Sequence, residues 1–385
     1  MVFLCLKSYG VAMENERIYL DHNATTPLAD SVITWLKSDL GLLANPSSVH
    51  TSGKKAKREI DRVKDFLFKT FGLDQNIYDL FFHSGATEGI NTVVKGHASS
   101  IDQLTFLYHG TDHSCVYNLT GCLEKMGSAS KSYEFGNTEK SISEGNNLIN
   151  LTWVNNETGV INDLEEVLCL KDKYNLKVHV DAVQSVGKIQ NWAQLDGRVD
   201  AYTFSGHKFG ALKGIGFTFM KNDFSFNPVL RGGGQQGGIR SGTENTLGIY
   251  SLKIALEEMI EKYDFEKQKT AKVWFESKLC ELIGNKGEVV GKDLKRNGST
   301  IYFILFDTKA QTSAMALDMA GFDVSNGSAC SSGAVLPSRI LLNMGYSEEH
   351  AKSAIRLSFS SDFSIDKAEE YWPKFEKVIG RFLEK

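Results

Sequence analysis

No two of the six cysteines in this 385-residue chain are spaced as Cys-x-x-Cys. That spacing argues against a zinc site or a dithiol redox pair. No uncharged apolar run approaches the roughly 20 residues that a bilayer-spanning helix needs. Residues 1–12 are mildly apolar but lack a basic start and a long apolar centre, so they do not read as a signal peptide. Dispersed cysteines without a secretory signal point to a reducing, cytoplasmic setting. Lys and Arg total 43 against 47 Asp and Glu, a net charge of −4. No bulk field therefore draws the chain to nucleic acid or to an anionic membrane, although Lys54-Lys55-Ala56-Lys57-Arg58 forms a local basic run. Internal repeats and low-complexity tracts are missing too. Recognisable pattern begins near Arg17, which makes Met13 an alternative start to Met1.

What is present is an alternation of helical and strand-like segments. The length suggests two domains, read here as 17–258 and as 259–385 together with 1–16. In the first, 56–71 has apolar residues at helical spacing, and 80–82, 105–108, 148–154, 178–181 and 201–204 read as short buried strands. A helix over 164–174 lies between two of them. This is α/β wiring with a mainly parallel sheet. A Gly-rich stretch, 224–243, leads into an amphipathic run, 247–283, that reads as one or two helices. The smaller α+β part holds strands at 299–306 and 355–358, helices at 311–320 and 365–383, and a loop of small residues over 323–332.

Two strand ends carry the most informative chemistry. Val178-His179-Val180-Asp181 closes in a carboxylate, and Tyr202-Thr203-Phe204-Ser205-Gly206-His207-Lys208 closes in an amine, 27 residues later. Neighbouring strands of an open α/β sheet share one crevice at their carboxyl ends. A lysine that forms a Schiff base, with an acid for a pyridinium nitrogen, is what pyridoxal 5'-phosphate (PLP) requires. A free lysine has a pKa near ~10.4, so such a lysine needs burial to lower it. Gln184 is placed to reach the ring's phenolic oxygen. Phe82-His83-Ser84-Gly85-Ala86-Thr87-Glu88 reads as strand, tight loop and helix start, which is either an anion site or an ordinary turn. Ser205 and His207 would add to such an anion site.

Three further residues stay open on this reading. His113, after Gly110-Thr111-Asp112, is either a flat ring for stacking or a plain loop histidine. Cys330, in Ser328-Ala329-Cys330-Ser331-Ser332, lacks hydrophobic neighbours to bury it and suits a nucleophile. Arg356, in Ala354-Ile355-Arg356-Leu357, either grips a carboxylate or sits in an internal salt bridge. Cys169 falls beside Leu168 and Leu170 and reads as core; Cys115, Cys122 and Cys280 are given the same reading.

Taken in order, these runs resemble one family. Tyr19-Leu20-Asp21-His22-Asn23-Ala24-Thr25-Thr26-Pro27, Asn45-Pro46-Ser47-Ser48-Val49-His50, Ser84-Gly85-Ala86-Thr87-Glu88, Val154-Asn155-Asn156-Glu157-Thr158-Gly159, His179-Val180-Asp181, Ser205-Gly206-His207-Lys208, Arg240-Ser241-Gly242-Thr243 and Gly327-Ser328-Ala329-Cys330 are similar to those of the NifS-like cysteine desulfurases. These belong to the class V aminotransferase, fold-type I PLP enzymes. The resemblance implies that Lys208 holds PLP and moves protons, and that Asp181 and Gln184 tune the ring while His113 stacks on it. It places Ala86, Thr87, Ser205 and His207 at the phosphate, with Thr243 reaching the phosphate of the other subunit of a homodimer. Asn156 and Arg356 would take the carboxylate of L-cysteine. Cys330 would accept its sulfur as a persulfide, for transfer to an acceptor such as an iron–sulfur scaffold. No metal is implied. Gln235-Gln236-Gly237-Gly238 departs from the acidic and basic residues usual there. Alternatives on the same fold are a selenocysteine lyase or another class V lyase or aminotransferase. An inactive sulfur-transfer scaffold is the non-enzyme alternative.

Overall fold

In the computed structural model, which describes residues 17–38, 44–326 and 336–384, seven strands pair into one sheet. Their order across the sheet is Tyr78–His83, Gly216–Lys221, Ala201–Ser205, Lys177–Asp181, Asn147–Thr152, Thr105–His109 and Ala129–Tyr133. All run parallel except Gly216–Lys221, which is antiparallel to both neighbours. The central strands are buried on both faces, which is why they read as continuous apolar runs rather than alternating ones.

One core lies between this sheet and the helices Thr51–Phe71, Leu164–Tyr174 and Thr246–Lys262. At its centre Phe204 stacks on Phe217 with ring centroids 4.8 Å apart, and Phe71 packs against both. Burying each such ring contributes about 1.5–3 kcal/mol. The cluster stiffens the strand that delivers Lys208. A second core gathers Leu20, helices Phe265–Ile283 and Ile365–Leu383, and a three-stranded antiparallel sheet of Ala354–Ser358, Thr300–Leu305 and Gly287–Val289. The run 247–283 is thus two helices, parted at Tyr263 and Asp264, where Asp264 caps the second by accepting from Lys267 N.

A buried polar row crosses the main sheet beneath its carboxyl ends. Asn150 Nδ2 donates to Asp112 Oδ2 at 3.0 Å, and Asn150 Oδ1 lies 2.8 Å from His179 Nδ1. His179 Nε2 meets Thr203 Oγ1, Thr203 meets Thr218, and Thr218 meets His83 Nε2, each within 3.0 Å. Each member gives its neighbour a partner, which offsets the cost of burying polar atoms in an otherwise apolar layer. The Gln235–Gly238 departure also has a local role. Gln236 Oε1 accepts from Phe82 N at 2.6 Å, and its Nε2 donates to Phe82 O at 2.9 Å. One side-chain amide thereby substitutes for a neighbouring strand at the sheet edge.

Two cysteines expected in the core are exposed. Cys169 and Cys280 sit on helices whose buried stripes, Val167 and Leu168 in one and Ala271, Phe275, Leu279 and Ile283 in the other, leave them on the outer side.

The polar row leaves no room at Gly89. A Cβ there would stand 2.5 Å from His83 Nε2 and 2.8 Å from Thr203 Cγ2. Gly89→Ala is expected to cost about 1–3 kcal/mol by overpacking. Gly121→Ala, in a helix with nothing within 4 Å of the added Cβ, should instead stabilise by up to about 1 kcal/mol. Denaturant unfolding of the two variants checks both signs.

Candidate active site

The carboxyl ends of the parallel strands surround a cavity of about 790 Å³. Its lining brings together Ala86, Thr87, His113, Asn156, Asp181, Gln184, Ser205, His207, Lys208 and Arg356. Asn23, Ala24, Thr25, Cys115, Lys213 and Ser325 join them. Thr243 is exposed and lies outside it, in a small neighbouring cavity that shares Ser84 and Gly214. Cys330 lies outside the described residues.

Lys208 ends a one-turn helix, Gly206–Lys208, that follows its strand directly. A Cβ on Gly206 would meet Leu252 Cδ2 at 2.8 Å, so glycine lets the turn press into the core. The segment around 23–26 grips this turn. Thr26 N donates to His207 O and Thr26 Oγ1 to Lys208 O, while Lys208 Nζ donates to Asn23 O at 2.7 Å and Ala24 O at 2.8 Å. Burial is the largest influence on the amine, and the Arg356 charge adds to it. Together they lower Lys208 to about 8, against the smaller opposing pull of Asp21 and Asp181. Asp181, fully enclosed, is pushed the other way, up to about 7, also by burial first. Its Oδ1 accepts from Val183 N at 3.1 Å.

On the opposite wall, Gly85 caps helix Ala86–Ala98 and the first helical amides open into the cavity. A Cβ on Gly85 would face Ser205 Oγ across 3.9 Å. His207 Nδ1 pairs with Thr25 Oγ1 at 3.1 Å, and burial lowers its imidazole to about 4, leaving it neutral. Glu88 accepts from Ser84 N and from Arg240, which fixes the loop's shape and satisfies the acid internally.

Gln184 is held twice. Its Nε2 donates to Asn23 O at 3.0 Å, and its Oε1 accepts from the buried Lys188. One Nε2 hydrogen is left over. Of its two expected alternatives, Arg356 shows the internal salt bridge. Its Nη2 pairs with Asp21 at 2.6 Å and its Nη1 donates to Asn156 O at 3.0 Å, yet among the described residues Nε has no partner, and neither does Asn156 Oδ1. His113 lines the cavity and is exposed, while desolvation by its neighbours, with the Lys208 and Arg339 charges adding to it, lowers its imidazole to about 4. Its Nδ1 accepts from Cys115 N at 3.2 Å, with Cys115 Sγ 3.1 Å away. Cys115, expected as core, therefore faces the site, where burial holds its thiol protonated.

The comparisons agree with this geometry. The sequence profile described as aminotransferase class-V matches residues 18–369. The chain belongs to the class-V aminotransferase family. Among its relatives, the cysteine desulfurase IscS of Clostridium botulinum is 28% identical over 386 residues, spanning 94% of this chain and 95% of its own. The cysteine desulfurase of Cereibacter sphaeroides is 31% identical over 360 residues, 90% of this chain and 91% of its own. The X-ray structure of a NifS-like protein from Rickettsia africae ESF-5 superposes with a TM-score of 0.83 at 29% identity, covering 94% of this chain and 99% of that one. The α/β fold with its mainly parallel sheet is that of the NifS-like, fold-type I enzymes.

The cofactor of class-V aminotransferases is PLP, and the residues fit it. Asp181 is a buried acid for which a protonated ring nitrogen would remove the cost of ionising. Ala86, Thr87, Ser205 and His207 form a cradle for a phosphate at a helix N-terminus. Bound there, PLP supplies an electron sink.

Sequence reading missed Asn23, Ala24, Asp21 and Lys188 as parts of the site. The first three stood in the quoted run 19–27, which was a signal without an assigned role. Lys188 showed none, since its importance comes only from its burial against Gln184.

Because Asp181 is raised from 3.8 to about 7, its ionisation weakens the cofactor-free fold as pH climbs through that window. Asp181→Asn should give no gain near pH 3.5 and a gain of a few kcal/mol that levels off above pH 7. Denaturant unfolding of the cofactor-free protein across pH measures it.

Proposed function

We propose that this chain is a PLP-dependent cysteine desulfurase that takes sulfur from L-cysteine, releases L-alanine and leaves a persulfide on Cys330. One observation carries the reading. A desolvated amine, Lys208, shares a cavity with a buried acid, Asp181, and the ends of the segment bearing Cys330 border the same site. Ser325 lines the cavity and pairs with Arg356, its amide donating to Arg356 O at 3.2 Å and its carbonyl accepting from Arg356 N at 2.7 Å. On the far side, Ser338 Oγ donates to Glu157 at 2.5 Å, and Arg339 grips the turn before His113. Cys330 follows Ser325 by five positions, a reach of at most about 18 Å.

Each residue then has one task. Asn156 and Arg356 Nε, unpaired among the described residues, would bind the substrate carboxylate. At a pKa near 8, Lys208 exchanges protons readily at neutral pH and serves the substrate's α-carbon and departing amine. Asp181 supports the ring, and Gln184 offers its spare N–H to the ring oxygen. The Cys330 thiolate attacks the cysteine sulfur, so that an S–S bond forms as the C–S bond breaks. The carbon takes up protons to become the methyl of alanine. L-cysteine and a thiol give alanine and a persulfide, with no outside oxidant. A transaminase needs no such thiol, which sets this reading apart from the other class-V chemistries.

The persulfide would pass to an acceptor protein such as an iron–sulfur scaffold. In this reading the PLP-binding part, 17–258, and the smaller part, 259–385 with 1–16, meet at the cavity, and a second copy in a homodimer supplies Thr243. The setting we propose is cytoplasmic; among the described residues no helix is long and apolar enough to cross a membrane.

Cys330→Ala should keep the visible absorbance of bound PLP but lose alanine and sulfide formation by about 10²-fold or more. Lys208→Ala should bind cysteine and stall, with turnover lost by a similar factor. Paired sulfide and alanine assays test both. Unchanged release by Cys330→Ala would exclude the persulfide route.

A further inference from the structure

Three consecutive carbonyls lead into His113, and each is held by a side chain from elsewhere in the chain. Gly110 O accepts from Arg339 Nη1, and Asp112 O accepts from Arg339 Nη2. Between them, Thr111 O accepts from Asn155 Nδ2 at 3.0 Å. The Asp112 carboxylate closes the turn from inside, accepting from His109 N and from Asn150, each at 3.0 Å. The Arg339 guanidinium also lies over the Tyr117 ring, 4.3 Å from its centroid. Tyr117 ends the four-residue helix that His113 caps. A single planar group therefore touches the backbone just before His113 and the ring four residues after it. Close approach is allowed by Gly110, where a Cβ would stand 2.6 Å from Asn343 Oδ1.

The fork geometry matters here. A guanidinium can place two parallel N–H groups on two carbonyls while its face stacks on an aromatic ring; an ammonium cannot. Such a strap fixes backbone position to a fraction of an ångström, which is the tolerance a stacking ring over a reaction centre needs. Within the turn, His113 Nδ1 already accepts from Cys115 N, so the neutral ring carries its proton on Nε2. Ring orientation is then set by the small helix, and ring placement by the three carbonyls.

We propose that Arg339 is the positioning residue for His113: its two-carbonyl grip and its stack on Tyr117 set where the imidazole stands over the cofactor. The proposal rests on the reading of His113 as the ring that faces PLP. Arg339 itself does not line the cavity, so it acts through His113 rather than on the substrate.

The test is a double-mutant cycle on the PLP-loaded full chain, using Arg339→Lys, His113→Ala and the pair. Arg339→Gln serves as a second strap variant that keeps one donor group. Two quantities are read: kcat and KM for cysteine, and the visible circular dichroism of bound PLP, which reports the asymmetry of its surroundings. Arg339→Lys is expected to lower kcat about tenfold with KM within about twofold, and to shift the dichroic band towards that of His113→Ala. The pair should be no worse than His113→Ala alone, because the strap has nothing left to position. A wild-type kcat and dichroic band in both strap variants would overturn the proposal. So would losses at 339 and 113 that multiply independently. Were the wild-type chain inactive on cysteine, the desulfurase reading would fall, while the dichroic coupling between 339 and 113 would still decide the role of Arg339.

Discussion

An amine and a carboxylate share one desolvated cavity without pairing. Among the described residues no ion pair joins Lys208 to Asp181; the lysine gives its protons to the carbonyls of Asn23 and Ala24 instead. Burial brings the two groups from opposite ends of the scale to about 8 and about 7. A direct salt bridge would have stabilised both charges and left neither for chemistry. Keeping them apart leaves the acid available to a ring nitrogen and the amine available to a carbonyl carbon. The cost of that arrangement is what the rest of the fold has to offset.

The offset comes from two kinds of rigidity. Below the site, the aromatic cluster of Phe71, Phe204, Phe217 and Phe219 clamps the strand that ends at Ser205. Beside it, the polar row from Asp112 to His83 ties five of the strands to one another through side chains as well as backbone. The residues at the strand ends therefore cannot relax toward each other without breaking partners that are themselves buried. The segment 23–26 completes the cage from outside the sheet. Asn23 alone offers its carbonyl to Lys208 and to Gln184, and its own amide donates to Ser358 Oγ at 2.9 Å.

Much of this was legible in the sequence, for physical reasons that can be named. Strands buried on both faces write themselves as unbroken apolar runs, so Asp181 and Lys208 stood out as charges at run ends. The helices Leu164–Tyr174 and Ile365–Leu383 carry clear apolar stripes and begin and end where the pattern does. What stayed hidden depends on contacts between distant positions. The reversed direction of Gly216–Lys221 is set by its partners, not by its own composition. Arg339 looks like an ordinary helix-surface residue until it is seen gripping carbonyls 227 and 229 positions away. Cys169 and Cys280 were both misjudged as core, because a helix turns by about 100° per residue and apolar neighbours in sequence do not share a face.

Arg356 shows the same logic on the cavity wall. A guanidinium free to swing into this cavity would find Asp181 and neutralise it. Asp21, at 2.6 Å from Nη2, and the Asn156 carbonyl, at 3.0 Å from Nη1, hold it against the wall. The ion pair and the carbonyl contact together occupy two of the guanidinium's donor nitrogens and leave Nε, like Asn156 Oδ1, buried and without a partner among the described residues. An unsatisfied buried donor costs about 1–3 kcal/mol. That cost disappears only when a ligand brings an acceptor to Nε. In the reading proposed above, the carboxylate of an α-amino acid is that acceptor, and the choice among side chains would fall to what the Cys330 thiol can attack.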